Sequence, residues 1–74
     1  MSVAKIIEIS SSSKKGFEDA IEKGISRASK TIKHIAGAWV KEQSVTVENG
    51  KIVRYQVNLM VTFVLEDKDA SVES

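Results

Sequence analysis

The sequence predicts an α+β domain of order strand, helix, strand, strand, with three strands in one antiparallel sheet partly wrapped around a single amphipathic helix. Three observations carry this. Apolar residues recur at three- and four-residue steps from Lys14 to about Ile35, the period of one helix face. Asn49-Gly50 lies between two β-rich runs, and a type I′ hairpin turn needs positive φ at both of its central residues. The run after that turn alternates apolar and polar side chains for about fourteen residues, where strands usually have about five or six.

Val3 to Ile9 is rich in β-branched residues and reads as the first strand. The run Ser10-Ser11-Ser12-Ser13 is expected to end it, with Ser12 or Ser13 capping the helix that follows. The helix stripe is Phe17, Ala20, Ile21, Gly24, Ile25, Ala28, Ile32 and Ile35. Glu18, Asp19 and Glu22 lie early while Lys30, Lys33 and His34 crowd the end, as the helix dipole favours. His34 accordingly reads as a cation at a helix C-terminus. Gly24 on the buried stripe costs about 1 kcal/mol relative to Ala, which implies close approach to whatever lies beneath.

In the last strand Val53, Tyr55, Val57, Leu59, Val61, Phe63 and Leu65 form the face expected to meet the helix. The simplest antiparallel sheet puts this long strand in the middle, in the order 1-3-2. A two-residue turn makes Glu48 face Lys51 and pairs Val47 with Ile52, Val45 with Arg54 and Gln43 with Gln56. It then pairs Lys41 with Asn58, Trp39 with Met60 and Gly37 with Thr62, unless a bulge shifts the later pairs by one. The face away from the helix would thus combine Trp39, Met60, Val45, Val47 and Ile52 with an amide pair, Gln43 and Gln56. Such a mixed surface marks an interface or a ligand groove. Trp39, the one Trp of the chain, is there either as a subunit anchor or as a stacking platform for a planar ligand.

Composition narrows the function classes. Seventy-four residues make one domain, taken as 1–67 with a flexible tail at 68–74. A chain of this size buries only about 60% of its unfolded surface alone and needs a staple. Without Cys, disulfides and thiolate zinc sites are excluded, and a single His builds no His-based metal centre within one chain. Self-assembly is the staple that remains. A net charge of +1 gives no footprint for nucleic acid. No apolar run approaches the ~18–20 residues of a membrane span, and the start lacks the apolar region of a secretory signal. A cytoplasmic oligomer is expected.

The sequence also resembles a known family. Phe17-Glu18-Asp19-Ala20, Tyr55-Gln56-Val57 and Phe63-Val64-Leu65-Glu66, set in a β-α-β-β chain of this length, are similar to the dodecins from Val3 to about Asp67. The resemblance implies a hollow homododecamer of cubic symmetry built from trimers. It implies binding of riboflavin or FMN for storage and protection, by quenching the excited flavin, with no enzymatic turnover. In flavin-binding members a Trp near the start of the second strand stacks on the ring; here Gly37 takes that position. Trp39, two residues later on the same face, is the candidate to reach the same seam. Gln56 matches the Gln that reads the flavin ring, and Val64 stands where bacterial flavin binders often carry an Arg suited to phosphate. The ligand-binding candidates are therefore Trp39, Gln56, Gly37, Gln43 and Met60, with no catalytic residue.

Other classes fit less well. Small oligomeric tautomerases of this length use an N-terminal Pro, and the chain has none. Catalysis by His34 with Glu42 would need the helix end to face the sheet seam. Nucleic-acid readers of this topology need aromatic platforms or basic loops. One dodecin-like branch is associated with calcium, so the alternative is a structural or calcium-binding shell. Its ions would sit at Glu66-Asp67-Lys68-Asp69 or at an interface pooling Glu42 or Glu48 between chains, although a solvated tail is the simpler reading of Glu66 to Ser74.

Overall fold

A computed structural model describes residues 3–65. Strand β1 (Val3–Ser13) is followed by helix α1 (Phe17–Ala28), then β2 (Ile35–Glu48) and β3 (Lys51–Leu65). The sheet is antiparallel in the order β1-β3-β2, as expected. The domain's far boundary at 67, the tail and the ion site suggested at Glu66-Asp67-Lys68-Asp69 lie outside the described residues.

β1 runs on through the four serines, because β3 is long enough to give each one a backbone partner, up to Ser13 opposite Tyr55. Neither Ser12 nor Ser13 caps the helix. The N-cap position is Gly16, which offers no side chain. Ser13 instead ties the loop to the first helical turn. Its hydroxyl accepts from the Lys15 amide at 2.9 Å and donates to the Asp19 carboxylate at 2.5 Å. That bond, with Lys23 at 3.1 Å behind it, holds the Asp19 carboxyl below its ordinary range.

The helix ends at Ala28, seven residues before the expected Ile35. Hydroxyl side chains explain the early stop. Ser29 Oγ donates to the Ile25 carbonyl at 2.8 Å, and the turn then closes with the Thr31 and Ile32 amides both donating to Ala28. His34 is therefore not a helix-end cation. It sits at φ 64° just before β2, where its carbonyl accepts from the Val64 amide. Ile35 starts β2 opposite Phe63 and still packs on the core.

The helix stripe lands as the periodicity requires. Ala20, Gly24 and Ala28 are buried, while Phe17, Ile21 and Ile25 pack around Val57, Leu59 and Val61. Phe17 meets Tyr55 edge to face, with centroids 5.1 Å apart. Gly24 is where the helix comes closest to the sheet. A Cβ there would lie 3.0 Å from the Ser11 Cβ and 3.3 Å from Leu59. At that closeness the Ser11 hydroxyl donates to the Ala20 carbonyl at 2.7 Å, which keeps a polar strand residue satisfied under the helix.

Lengths decide what remains bare. Twelve helical residues span about 18 Å, whereas the fifteen of β3 span about 50 Å. Val53 and Leu65, expected on the core face, therefore stay 37% and 46% exposed. The helix packs on β1 and β3, and β2 from Ala36 onward is exposed on both sides. The Cα radius of gyration is 15.7 Å, where a compact domain of this length has about 11 Å. Only Leu59, Val57 and Val61 are large side chains buried to completion among the described residues.

Candidate functional site

The site begins at the hairpin turn. Asn49 and Gly50 have φ of 53° and 76°, the two left-handed residues of a type I′ turn, and Glu48 faces Lys51. Val47 opposite Ile52 follows as expected. Val53 is then an extra residue in β3, so Thr46 meets Arg54, Val45 meets Tyr55, Ser44 meets Gln56 and Gln43 meets Val57. A compensating extra residue in β2, Lys41, restores the expected pairs of Trp39 with Met60 and Gly37 with Thr62.

The two bulges turn the segment between them over. Gln43 shares a face with Val57, on the helix side, and the expected amide pair with Gln56 does not form. Val45 lies on the helix side with Tyr55, and Val47, two residues on, follows it together with its partner Ile52. The open face receives Glu42, Ser44 and Thr46 in their place. The Asn58 amide donates to Glu42 at 2.8 Å. The extra residue Lys41 reaches across the sheet and donates to Glu8 of β1 at 3.3 Å.

The open face thus has an apolar spot in a polar surround. Glu8, Met60 and Trp39 share one rung of the sheet; Ile6, Thr62 and Gly37 share the next. Trp39 and Ile6 are each 50% exposed. Among the described residues, chain neighbours aside, nothing lies within 4 Å of a Cβ built on Gly37, so this glycine leaves open space beside the Trp39 rung. Gln56 is four residues from Met60 along β3, about 13 Å away. One protomer's Trp39 and Gln56 therefore do not close on the same ring, and a ligand touching both must extend along the strand or lie between protomers. Ile6 and Glu8 were not singled out from sequence; Glu42, named there as a partner for His34 or as an interface ion ligand, comes to this face only through the bulges.

A groove of about 870 Å³ runs between the edge of β1 and the helix end, lined by Ser10 to Ser12, Lys23, Arg27 and Lys30, and none of the candidate residues reaches it. Among the described residues no three His, Cys, Asp or Glu converge on a metal position, and no helix is long and apolar enough to cross a membrane.

The sequence profile of the dodecins matches residues 3–66, which is nearly all of the chain and every element of the fold. The chain belongs to the dodecin family. The dodecin of Thermus thermophilus is 38% identical over 65 residues, covering 88% of this chain and 94% of that one. A crystal structure of the Thermus protein superposes with a TM-score of 0.86 at 37% identity, covering 92% of this chain and 100% of that one. The dodecin of Streptomyces davaonensis gives 0.84 at 30% identity, covering 89% and 97%. A calcium-chelating antigen of Mycobacterium tuberculosis, a calcium dodecin with its own calcium-binding site, gives 0.75 at 33% identity, covering 89% and 94%. Dodecins are oligomeric small-ligand binding and storage proteins, and this chain shares their fold throughout.

Proposed function

We propose that this protein is a homododecameric shell that sequesters a flavin, riboflavin or FMN, between the open sheet faces of neighbouring protomers. Trp39 is the stacking group and Gln56 the polar reader of the ring's pyrimidine edge, where an amide offers both donor and acceptor. The carrying observation is a half-exposed Trp39 beside Met60, on a face that the helix leaves uncovered. A half-exposed aromatic side chain next to open space at Gly37 suits a planar ring, and sandwiching that ring between two protomers would remove both tryptophans from water. The ~13 Å between Trp39's rung and Gln56 supports contributions from different protomers. Met60 fills the floor of the stack.

Flavin quenching tests this. Riboflavin added at micromolar concentration should quench both its own emission and that of Trp39, with the protein sedimenting as a large oligomer. Trp39→Ala should abolish the quenching while the oligomer persists. Loss of assembly instead would make Trp39 a subunit anchor, and absence of any quenching in the assembled wild type would leave a shell of another use, an ion-binding one being the first to try with calcium.

A further inference from the structure

The tip of the hairpin joins a side-chain carboxamide to an unhindered backbone nitrogen. Asn49, at φ 53°, is followed by Gly50, and every residue from Val47 to Arg54 is exposed. The helix reaches Tyr55 through Phe17 and stops short of the turn. In a two-residue turn the Gly50 amide lies outside the strand ladder. Among the described residues, chain neighbours aside, nothing lies within 4 Å of a Cβ built on Gly50, so its nitrogen is sterically open. The other Asn of the chain is placed differently. Asn58 precedes the buried Leu59, and its amide donates to Glu42 at 2.8 Å.

We propose that Asn49 is a self-modification site that works from the folded hairpin, through a flip of the Asn49–Gly50 peptide plane. At the ψ of about +30° that a type I′ turn gives its first central residue, the Gly50 nitrogen points away from the Asn49 side chain. Turning ψ to about −120° at the same positive φ makes a type II′ turn, the other turn that two-residue hairpins accept. That rotation carries the nitrogen to the side-chain carbonyl, and Gly50 tolerates the accompanying change of its φ from 76° to a negative value. The strands need not part. The Gly50 nitrogen then bonds to Asn49 Cγ and the Cγ–Nδ2 bond breaks. The side-chain nitrogen leaves as ammonia with the proton that the Gly50 amide gives up, and water opens the resulting five-membered imide on either side. Opening at Cγ leaves an ordinary aspartate, which suits a type I′ turn as Asn does. Opening at the backbone carbonyl leaves an isoaspartyl link, with an extra methylene in the main chain. That link lengthens the turn and loosens Glu48 on Lys51 and Val47 on Ile52, while the extra residue Val53 resets the register and keeps Thr46 on Arg54. Either product removes the chain's formal net charge of +1.

The experiment ages the whole protein at mildly alkaline pH and follows Asn49 by peptide mass mapping, where each conversion adds about 1 Da. The same chain in concentrated urea gives the unfolded rate. The folded rate should lie about five- to two-hundredfold below it, the penalty for one L-residue in an unfavourable backbone state, with Asn58 intact. A folded rate outside that range overturns the flip. Ile25→Val weakens the helix-side contact mildly and would raise the folded rate about two- to twelvefold if global unfolding were required. Lys51→Glu sets like charges opposite each other at the strand ends and would raise it, relative to its own urea rate, if the strands had to part. Neither should change it, and a rise in either variant overturns the route. Asn49→Gly keeps a sequence suited to the same turn without the carboxamide, so a mass gain at the tip of that variant overturns the site. In the isoaspartyl fraction amide exchange should quicken from Val47 to Ile52, and quickening beyond the Val53 bulge overturns the containment.

Discussion

The two faces of β3 are built on the same strand and behave as different materials. Val57, Leu59 and Val61 point to the helix and are closed off from water, while Gln56, Asn58, Met60 and Thr62, interleaved with them, stay partly open. On the helix side, small residues at Ala20, Gly24 and Ala28 let the backbones approach, so a short helix makes a dense contact over a small area. On the open side, among the described residues, no helix covers Trp39, Met60 or Ile6. The difference teaches where stability and function have been divided. One face holds the protomer's shape, and the other is the one on which we propose that a partner and a ligand dock.

If that division holds, damage to the two faces should read out differently. Leu59→Ala empties the centre of the helix-side contact and should cost about 2–5 kcal/mol, measured as a fall in the urea midpoint of the circular dichroism signal. Trp39→Ala should leave that midpoint little changed per protomer and act on ligand quenching instead. Equal losses from both would show that the open face is also part of the folding core.

Gly24 offers a sharper probe of the same face. An Ala there gains up to about 1 kcal/mol of helix propensity, but its methyl would press on the Ser11 Cβ, on the strand's own backbone stem, where little can move away. Overpacking of this kind costs about 1–3 kcal/mol, so Gly24→Ala should destabilise on balance. Placing it in a Ser11→Gly background removes the crowding atom and should recover part of the loss relative to Ser11→Gly alone. A Gly24→Ala variant more stable than the wild type would show that the helix does not sit as close to β1 as the 3.0 Å approach implies.

Periodicity and turn chemistry were enough to read the fold, the strand order and most of the helix stripe, because each of these follows from local side-chain pattern. Asn49-Gly50 specifies its own turn through backbone sterics, and Gly24 declares a close approach by being the wrong residue for a helix interior. The misses have a common cause. Ser10 to Ser13 look like a loop by propensity, yet a long neighbouring strand supplies their hydrogen bonds, and that partner is distant in sequence. Ile32 and Ile35 continue the helical spacing by coincidence, whereas the stop is made by Ser29 and Thr31 bonding to the backbone. The open face was half legible. Trp39, Met60 and Gly37 fall where a plain two-residue hairpin puts them only because the extra residues at Val53 and Lys41 cancel. From Glu42 to the turn every β2 side chain changes sides, so Gln43, Val45 and Val47 leave the face and Glu42 joins it. Neither bulge has a glycine or proline to announce it.

The weakest expected effect concerns the loop that joins β1 to α1. Asp19 is held below its ordinary value of 3.8 first by the Ser13 hydroxyl and then by Lys23. A carboxyl with a depressed folded-state pKa adds stability above its unfolded pKa and loses it as pH falls through the folded value. The contribution is therefore intact at neutral pH and fades below about pH 4. Ser13→Ala removes the leading cause, so it should lower the urea midpoint slightly at neutral pH and flatten the fall on acidification. Because the Asp19 carboxylate still reaches water and its partner Lys23 is exposed, the change should be small beside those at Leu59 and Gly24. Midpoint-against-pH curves that run parallel for wild type and Ser13→Ala would show that the Ser13 bond merely accompanies the helix start and does not help to hold it. Convergence of the two curves in acid would mean that the hydroxyl fixes the first turn of α1 onto the end of β1 through an ionised partner, which ties the dense face of the sheet to its open edge.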